Sequence, residues 1–284
     1  MAADRFSILI PSWNNLPFLK LCVEAIREHS ATEHEVIIHL NEGADGSLEW
    51  VEQENLPYTM TPKNEGVCVA LNKASTLAGT DFICYVNDDM YVLPGWDEAL
   101  SAVVDDLDHS EWFLSGTMIE PTVSRNACVI APRDYGRTPE SFRRSELLRE
   151  FLEQPKADWS GANWPPNLVS RALWNRVGGY SEEFSPGISS DPDFSRKLWE
   201  AGVRHFQGVG GSRAYHFQSA STGRVERNDG RRQFLRKWGM TQSTFTRCYL
   251  RLGTPWTGPL SPQPYSPRMI FYRLKSAFRL AFSR

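Results

Sequence analysis

Along the first ninety residues, short apolar runs alternate with stretches in which apolar positions recur every three or four residues. FSILIP (6–11), EVIIHL (35–40) and DFICYVNDD (81–89) contain apolar runs continuous enough for buried strands. Between them, residues 16–29 have helical spacing, a short helix fits Leu48 to Gln53, and Val67, Leu71 and Ala74 share one helical face. This alternation predicts an α/β fold around a mostly parallel central sheet with right-handed crossovers. Ligands of such sheets bind beyond the carboxyl ends of the strands. Those ends carry Pro11-Ser12-Trp13, Asn41-Glu42 and Asn87-Asp88-Asp89.

The pattern loosens over about 105–160, where 111–121 supplies a further strand and 141–154 a helix. GANWPPNLVSRALWNRVGGY then predicts an irregular segment, a strand and a short helix closed by Gly178-Gly179. Residues 191–202 form a helix that opens on acids and stops at Gly202. From Gly253 to Pro267 the chain is rich in Pro, Gly and Ser and reads as a linker. In the final stretch Ile270, Leu274, Ala277, Phe278 and Ala281 fall near one helical face, among Arg273, Lys275, Arg279 and Arg284. That layout fits a helix lying in a membrane interface; a helix packed on the protein's own surface is the other reading.

Charge sharpens this division. No acidic residue follows Asp229, whereas 11 lysines and arginines do, so the preceding chain carries 20 cations against 34 acids. An acidic body with a basic tail points to an anionic surface as a partner of the tail. The five cysteines form no CxxC or Cys/His pattern, which argues for a reducing compartment and against a disulfide framework. MAADRFSILIPSW lacks a signal-peptide layout, and no apolar run nears the roughly 20 residues of a spanning helix. The cytosol is therefore expected. The ten tryptophans suit either core packing or the flat apolar faces of sugars.

Three groups can carry chemistry. Asp88 and Asp89 stand at a strand end, where adjacent carboxylates invite Mg²⁺ or Mn²⁺ and, through it, substrate phosphates; a turn or helix cap uses the same residues. Asp191 and Asp193 flank Pro192 at a helix start, where an acid serves as an N-cap or as a general base. His216 can complete a metal site through a neutral ring nitrogen or act structurally.

Together and in order, SILIPSWNNLPFLKLCVEAI, EVIIHLNEGADGSLEWV, KNEGVCVALNKA and DFICYVNDDMYVLPGW resemble the nucleotide-binding half of the family 2 glycosyltransferases. The stretch from Gly161 to Gly202 resembles their acceptor half. The resemblance covers roughly residues 5–220 and implies a GT-A (Rossmann-like) fold and an inverting transfer of sugar from a nucleotide diphosphate to an acceptor hydroxyl, in bacterial surface glycan synthesis. It divides the chain into a catalytic unit, 1–230, with a nucleotide half of about 1–100 and an acceptor half of about 101–230, and a basic extension, 231–284. It places Pro11, Ser12, Trp13, Asn41, Glu42, Lys63, Asn64 and Asp88 at the nucleotide, and Asp89 and His216 at the metal. Asp191 would be the base with Asp193 in reserve, and Gly161, Ala162 and Trp164 would line the sugar site. The donor would be a UDP-, dTDP- or GDP-sugar and the acceptor a glycan or lipid-linked glycan, with no nucleic acid involved. Three positions depart from the family pattern: Asn41 replaces an aspartate, Ser190 a glutamate, and Leu71 an arginine for which Lys63 is the candidate substitute.

Two rivals remain at this point. A nucleotidyltransferase would carry a glycine-rich, cationic loop after the first strand, where this chain reads PSWNNLPF. A non-catalytic carbohydrate- or nucleotide-binding module on the same fold would have no need of Asp88, Asp89, Asp191 and His216 together.

Overall fold

The computed structural model describes residues 5–219, 228–261 and 266–281. Strands β1 (Ser7–Trp13), β2 (Glu35–Asn41), β3 (Tyr58–Thr61) and β4 (Phe82–Tyr85) alternate with helices α1 (Leu16–His29), α2 (Ser47–Gln53) and α3 (Val67–Ser75). Then follow β5 (Met90–Val92), α4 (Trp96–Asp105), β6 (Trp112–Ile119), α5 (Arg144–Glu150), β7 (Trp159–Ser160), β8 (Asn167–Ser170), α6 (Arg171–Val177), α7 (Ser190–Glu200) and β9 (His205–His216). The chain closes with α8 (Gly230–Trp238), the single turn α9 (Gln242–Thr244) running into a π-helical turn, and α10 (Pro267–Ala281).

One nine-stranded sheet runs in the order β3-β2-β1-β4-β8-β6-β9-β5, with β7 added on β9. The strands β3, β2, β1 and β4 are mutually parallel, as the alternation predicts. The expectation of a mostly parallel sheet stops there. Strand β8 runs antiparallel to both β4 and β6, and β5 and β7 run antiparallel to β9, while β6 and β9 are parallel. The sheet is mixed because the second half of the chain returns through it without regular crossovers.

The apolar runs of β1 and β2 are continuous because both faces of the sheet are covered. Ile8, Ile10, Ile38 and Leu40 face a core shared with Leu19, Val23 and Ile26 of α1 and Trp96 and Leu100 of α4. Leu9 and Ile37 face a second core with Cys68, Leu71 and Ala74 of α3 and Phe194 and Leu198 of α7. Leu71 is therefore a core residue. All five cysteines are buried free thiols.

That second core also contains Phe234, Phe245, Tyr249, Leu260, Met269 and Tyr272, so the described part of the C-terminal extension is built into the body. The glycine- and proline-rich run is likewise pinned: the Ser160 amide donates to the Thr254 carbonyl, the Gly253 amide to the Ser160 carbonyl, and the Leu260 amide to the Arg204 carbonyl. Residues 262–265 of the expected linker and Arg284 lie outside the described residues.

Strand β9 is absent from the sequence reading because three glycines interrupt its pattern, and two of them, Gly208 and Gly210, are there for fit. A Cβ on Gly208 would lie 1.9 Å from Cε2 of the buried Trp159, whereas one on Gly211 would meet only the Ala99 methyl at 3.4 Å. Gly208→Ala should destabilise the fold by about 1–3 kcal/mol through overpacking, and Gly211→Ala should leave the urea midpoint nearly unchanged. Equal midpoints for the two variants would contradict this packing.

Candidate active site

Parallel pairing brings the ends of β1, β2 and β4 to one edge, and a cleft of about 840 Å³ opens above it. Pro11, Ser12, Trp13, Asn41, Asn64, Asp88 and Asp89 line one side; Asp191, His216 and Arg231 also line it. The expected strand over 81–89 breaks after Tyr85, and β5 resumes at Met90. The break releases Asp88 and Asp89 from ladder pairing at the sheet edge.

Each of these carboxylates is held. Ser12 Oγ donates to Asp88 Oδ2 at 2.8 Å. The Ser219 amide donates to Asp89 Oδ2 at 2.9 Å. The antiparallel register of β5 on β9 pairs Met90 with His216, which sets the imidazole beside Asp89, Nε2 to Oδ1 at 3.5 Å. The other ring nitrogen, Nδ1, lies 3.0 Å from Glu120 Oε1. Burial acts to lower the His216 pKa, but Asp89 and Glu120 outweigh it and raise it to about 10. For Asp89 burial acts upward, and His216 with the Ser219 bonds holds it below the usual carboxylate value. Among the described residues, no group of three His, Cys, Asp or Glu side chains is placed to hold a metal ion by itself; Asp89 and His216 are a pair of such groups at this edge of the cleft. Glu120 has no local motif and is brought in by strand pairing alone.

The nucleotide-side loops are braced from behind. Glu42 accepts from Trp13 Nε1 at 2.8 Å and Asn14 Nδ2 at 2.9 Å, so it orients the indole without lining the cleft itself. Asn41 Oδ1 accepts from the Thr61 hydroxyl and the Glu65 amide, which stiffens the loop carrying Asn64. Lys63 is exposed and outside the cleft lining, whereas Arg231, which the sequence reading did not single out, lines it. Arg231 opens α8, and that helix start is fastened to the 184–188 loop: Asn228 Nδ2 donates to the carbonyls of Phe184 and Ser185. Gly66, at φ +85°, abuts Pro186 so closely that a Cβ would lie 2.5 Å from Pro186 Cα. The two halves of the cleft meet at that contact.

Asp191 sits inside the first turn of α7; the N-cap position belongs to Ser189. Its capping role is thereby set aside. Burial raises its pKa to about 7, against the opposing bond from the Tyr180 hydroxyl to Oδ1 at 3.2 Å. Asp193 faces away into the protein, fully buried, with Trp238 Nε1 at 2.7 Å and Lys237 Nζ at 3.0 Å. It ties α7 to α8 and does not line the cleft. Gly161, Ala162 and Trp164 are also outside the lining: Gly161 packs against the Leu250–Leu252 backbone, Ala162 is in the second core, and Trp164 packs on the first. Of the tryptophans, Trp13 lines the cleft, while Trp96, Trp112, Trp159, Trp174 and Trp199 are buried.

Residues 7–112 match the model of glycosyl transferase family 2. The putative glycosyltransferase EpsH of Bacillus subtilis (strain 168) is 24% identical over 181 residues, 62% of this chain and 47% of that protein. The uncharacterized glycosyltransferase YibD of Escherichia coli (strain K12) is 31% identical over 159 residues, 50% of this chain and 46% of that one. The chain thus spans a little under half the length of these relatives. The crystal structure of S. aureus TarS superposes with a TM-score of 0.56 at 15% identity, over 86% of this chain and 40% of that chain. TarS 1–349 in complex with UDP-GlcNAc gives 0.55 at 14% identity, over 82% and 65%. The N-terminal part of the chain is thus similar to family 2 glycosyltransferases, and its fold is similar to that of TarS.

The raised Asp191 pKa has a consequence for stability. A carboxyl whose folded pKa exceeds its unfolded value of 3.8 destabilises the fold as it ionises, with the cost growing from pH 4 and complete above about pH 7. Asp191→Asn should match the parent at pH 4 and be the more stable at pH 8, by up to about 4 kcal/mol. Denaturant titrations at both pH values measure this, and a variant less stable at pH 8 would contradict the burial cost.

Proposed function

We propose that this protein is an inverting glycosyltransferase that moves a sugar from a nucleotide-diphosphate donor to a hydroxyl of a glycan or lipid-linked acceptor in bacterial surface glycan synthesis. The observation that carries the proposal is that the strand-end acids and Asp191 line one cleft. Trp13 and Pro11 offer apolar surface for the base, with the indole oriented by Glu42. Asp88, positioned by Ser12, faces the ribose and diphosphate. Arg231 supplies positive charge toward the diphosphate. The complex of TarS 1–349 with UDP-GlcNAc supports a UDP-sugar as the first donor to try.

The residues fit a divalent ion. Glu120 on Nδ1 leaves Nε2 of His216 directed at the point that Asp89 Oδ1 also faces, an arrangement in which a carboxylate orients a metal-binding histidine. An ion there would replace the proton the pair now shares, and two protein ligands with diphosphate oxygens suit Mg²⁺ or Mn²⁺. When bound, it would neutralise charge building on the departing diphosphate.

Asp191 is the base. As the acceptor oxygen bonds to the anomeric carbon from the face opposite the diphosphate, the carbon–oxygen bond to the leaving group breaks and the hydroxyl proton passes to the Asp191 carboxylate. A pKa near 7 keeps the carboxylate basic enough to take that proton at neutral pH. Tyr180, through its bond to Oδ1, keeps the pKa from rising further.

Asp191→Asn should lower transfer by about 10²–10⁴-fold while leaving nucleotide affinity nearly intact; turnover at the parental rate would remove Asp191 as the base. In the parent, kcat/KM should rise with pH to a plateau above about 7, and Tyr180→Phe should move that limb to higher pH. Asp89→Ala should abolish the increase in donor affinity on adding Mn²⁺, read by calorimetry; an unchanged increase would place the metal elsewhere. A thermal-shift screen of UDP-, dTDP- and GDP-sugars with and without Mn²⁺ identifies the donor, because a ligand of the folded state raises Tm by mass action. It also separates a transferase from a binding module when followed by assay of nucleotide release.

A further inference from the structure

The helix α10 has two apolar faces, and the body uses one of them. Met269, Tyr272 and Ser276 form the inner stripe and are buried. Ser276 Oγ meets the Thr241 amide at 3.2 Å and the Thr244 hydroxyl at 3.0 Å, and Tyr272 accepts from Arg247 at 2.9 Å. The helix is therefore docked along its length. At about 100° per residue, Ile270, Leu274, Phe278 and Phe271 lie on the opposite side. Each is between 61% and 66% exposed, so this is a continuous stripe and not a scatter of single apolar residues.

The same rotation places the cations between the two faces, with Arg273 on one flank and Lys275 and Arg279 on the other. Two of them lean on the body: Arg273 reaches the Tyr249 hydroxyl at 3.3 Å and Lys275 lies over the Tyr272 ring. No acidic residue follows Asp229. An apolar face flanked by basic residues is the arrangement that enters the headgroup boundary of a bilayer while long cationic side chains reach the phosphates. Among the described residues no helix is long and apolar enough to cross a membrane, so the contact is one of lying on the surface.

We propose that α10 seats this protein on an anionic lipid bilayer, with Ile270, Phe271, Leu274 and Phe278 in the headgroup boundary and the flanking cations on lipid phosphates. Charge decides between this occupant and a second copy of the chain joined α10 to α10. Such a pair would bring Arg273, Lys275 and Arg279 against their own counterparts with no acid from either segment to offset them. An anionic leaflet offers the opposite sign to both flanks.

Flotation of the full chain with vesicles tests this directly, and needs no donor or acceptor, so its failure would leave the transferase reading standing. The chain should float with phosphatidylcholine vesicles containing phosphatidylglycerol and stay behind with phosphatidylcholine alone. The paired substitution Ile270→Glu and Leu274→Glu should cut the bound fraction roughly tenfold. Both positions are exposed and outside the cleft, so the melting curve and nucleotide affinity should be unchanged. Three results would overturn the proposal: no flotation with either vesicle, equal flotation with both, or flotation of the paired variant at the parental level. Light scattering that finds a lipid-free dimer, dissolved by the same substitutions, would assign the face to a second copy instead.

Discussion

Two adjacent carboxylates at the edge of a buried sheet are the constraint around which this molecule is arranged. Left alone, Asp88 and Asp89 would be costly to ionise so close together and so little hydrated. A hydroxyl from β1, an amide after β9 and an imidazole on β9 each take part of that charge. Those partners come from elements far apart in sequence, so the sheet order and the β5–β9 register must be right before the acids are tolerable. The acids in turn leave a site whose residual demand is for positive charge, which a metal-bound diphosphate would meet.

The opposite wall follows a different logic. Asp191, half-buried at the cleft wall, accepts one side-chain hydrogen bond, from Tyr180, and burial raises the cost of its charge. Asp193, two residues on, has both an indole and an ammonium partner and holds α7 against α8. The neighbouring acids thus differ in surroundings: one lines the cleft and the other braces α7 against α8. Asn228, bonded to the Phe184 and Ser185 carbonyls, holds the start of α8, and with it Arg231, beside the cleft. The C-terminal segment is therefore part of the site's support as well as a surface feature.

Much of this was legible in the chain. The strand-end placement of Ser12, Asn41 and Asp88–Asp89 was readable because parallel strands flanked by helices must present their carboxyl ends together. What was not legible has physical reasons. Strand β9 is interrupted by glycines because Trp159 occupies the space of a side chain at Gly208 and the Lys156 carbonyl that at Gly210. Glu120 and Arg231 sit in no motif, since each reaches the site through strand pairing or helix docking. Lys63 and Trp164 looked suitable by residue type and fell elsewhere, because type does not say which way a loop turns. Asp191 and Asp193 are indistinguishable by spacing from a helix start, and only their surroundings separate them.

Periodicity and composition alone determined the layered α/β plan, the edge of the sheet where chemistry is possible, and the basic, amphipathic character of the last helix. These depend on local spacing and on burying apolar surface, which a sequence carries within a few residues. Tertiary structure decided the rest: the antiparallel return of β8, the pairing of His216 with Asp89 and Glu120, and the face of α10 left to solvent. Each arises from contacts between segments tens to more than a hundred residues apart, and the energies that select them exist only once those segments are packed.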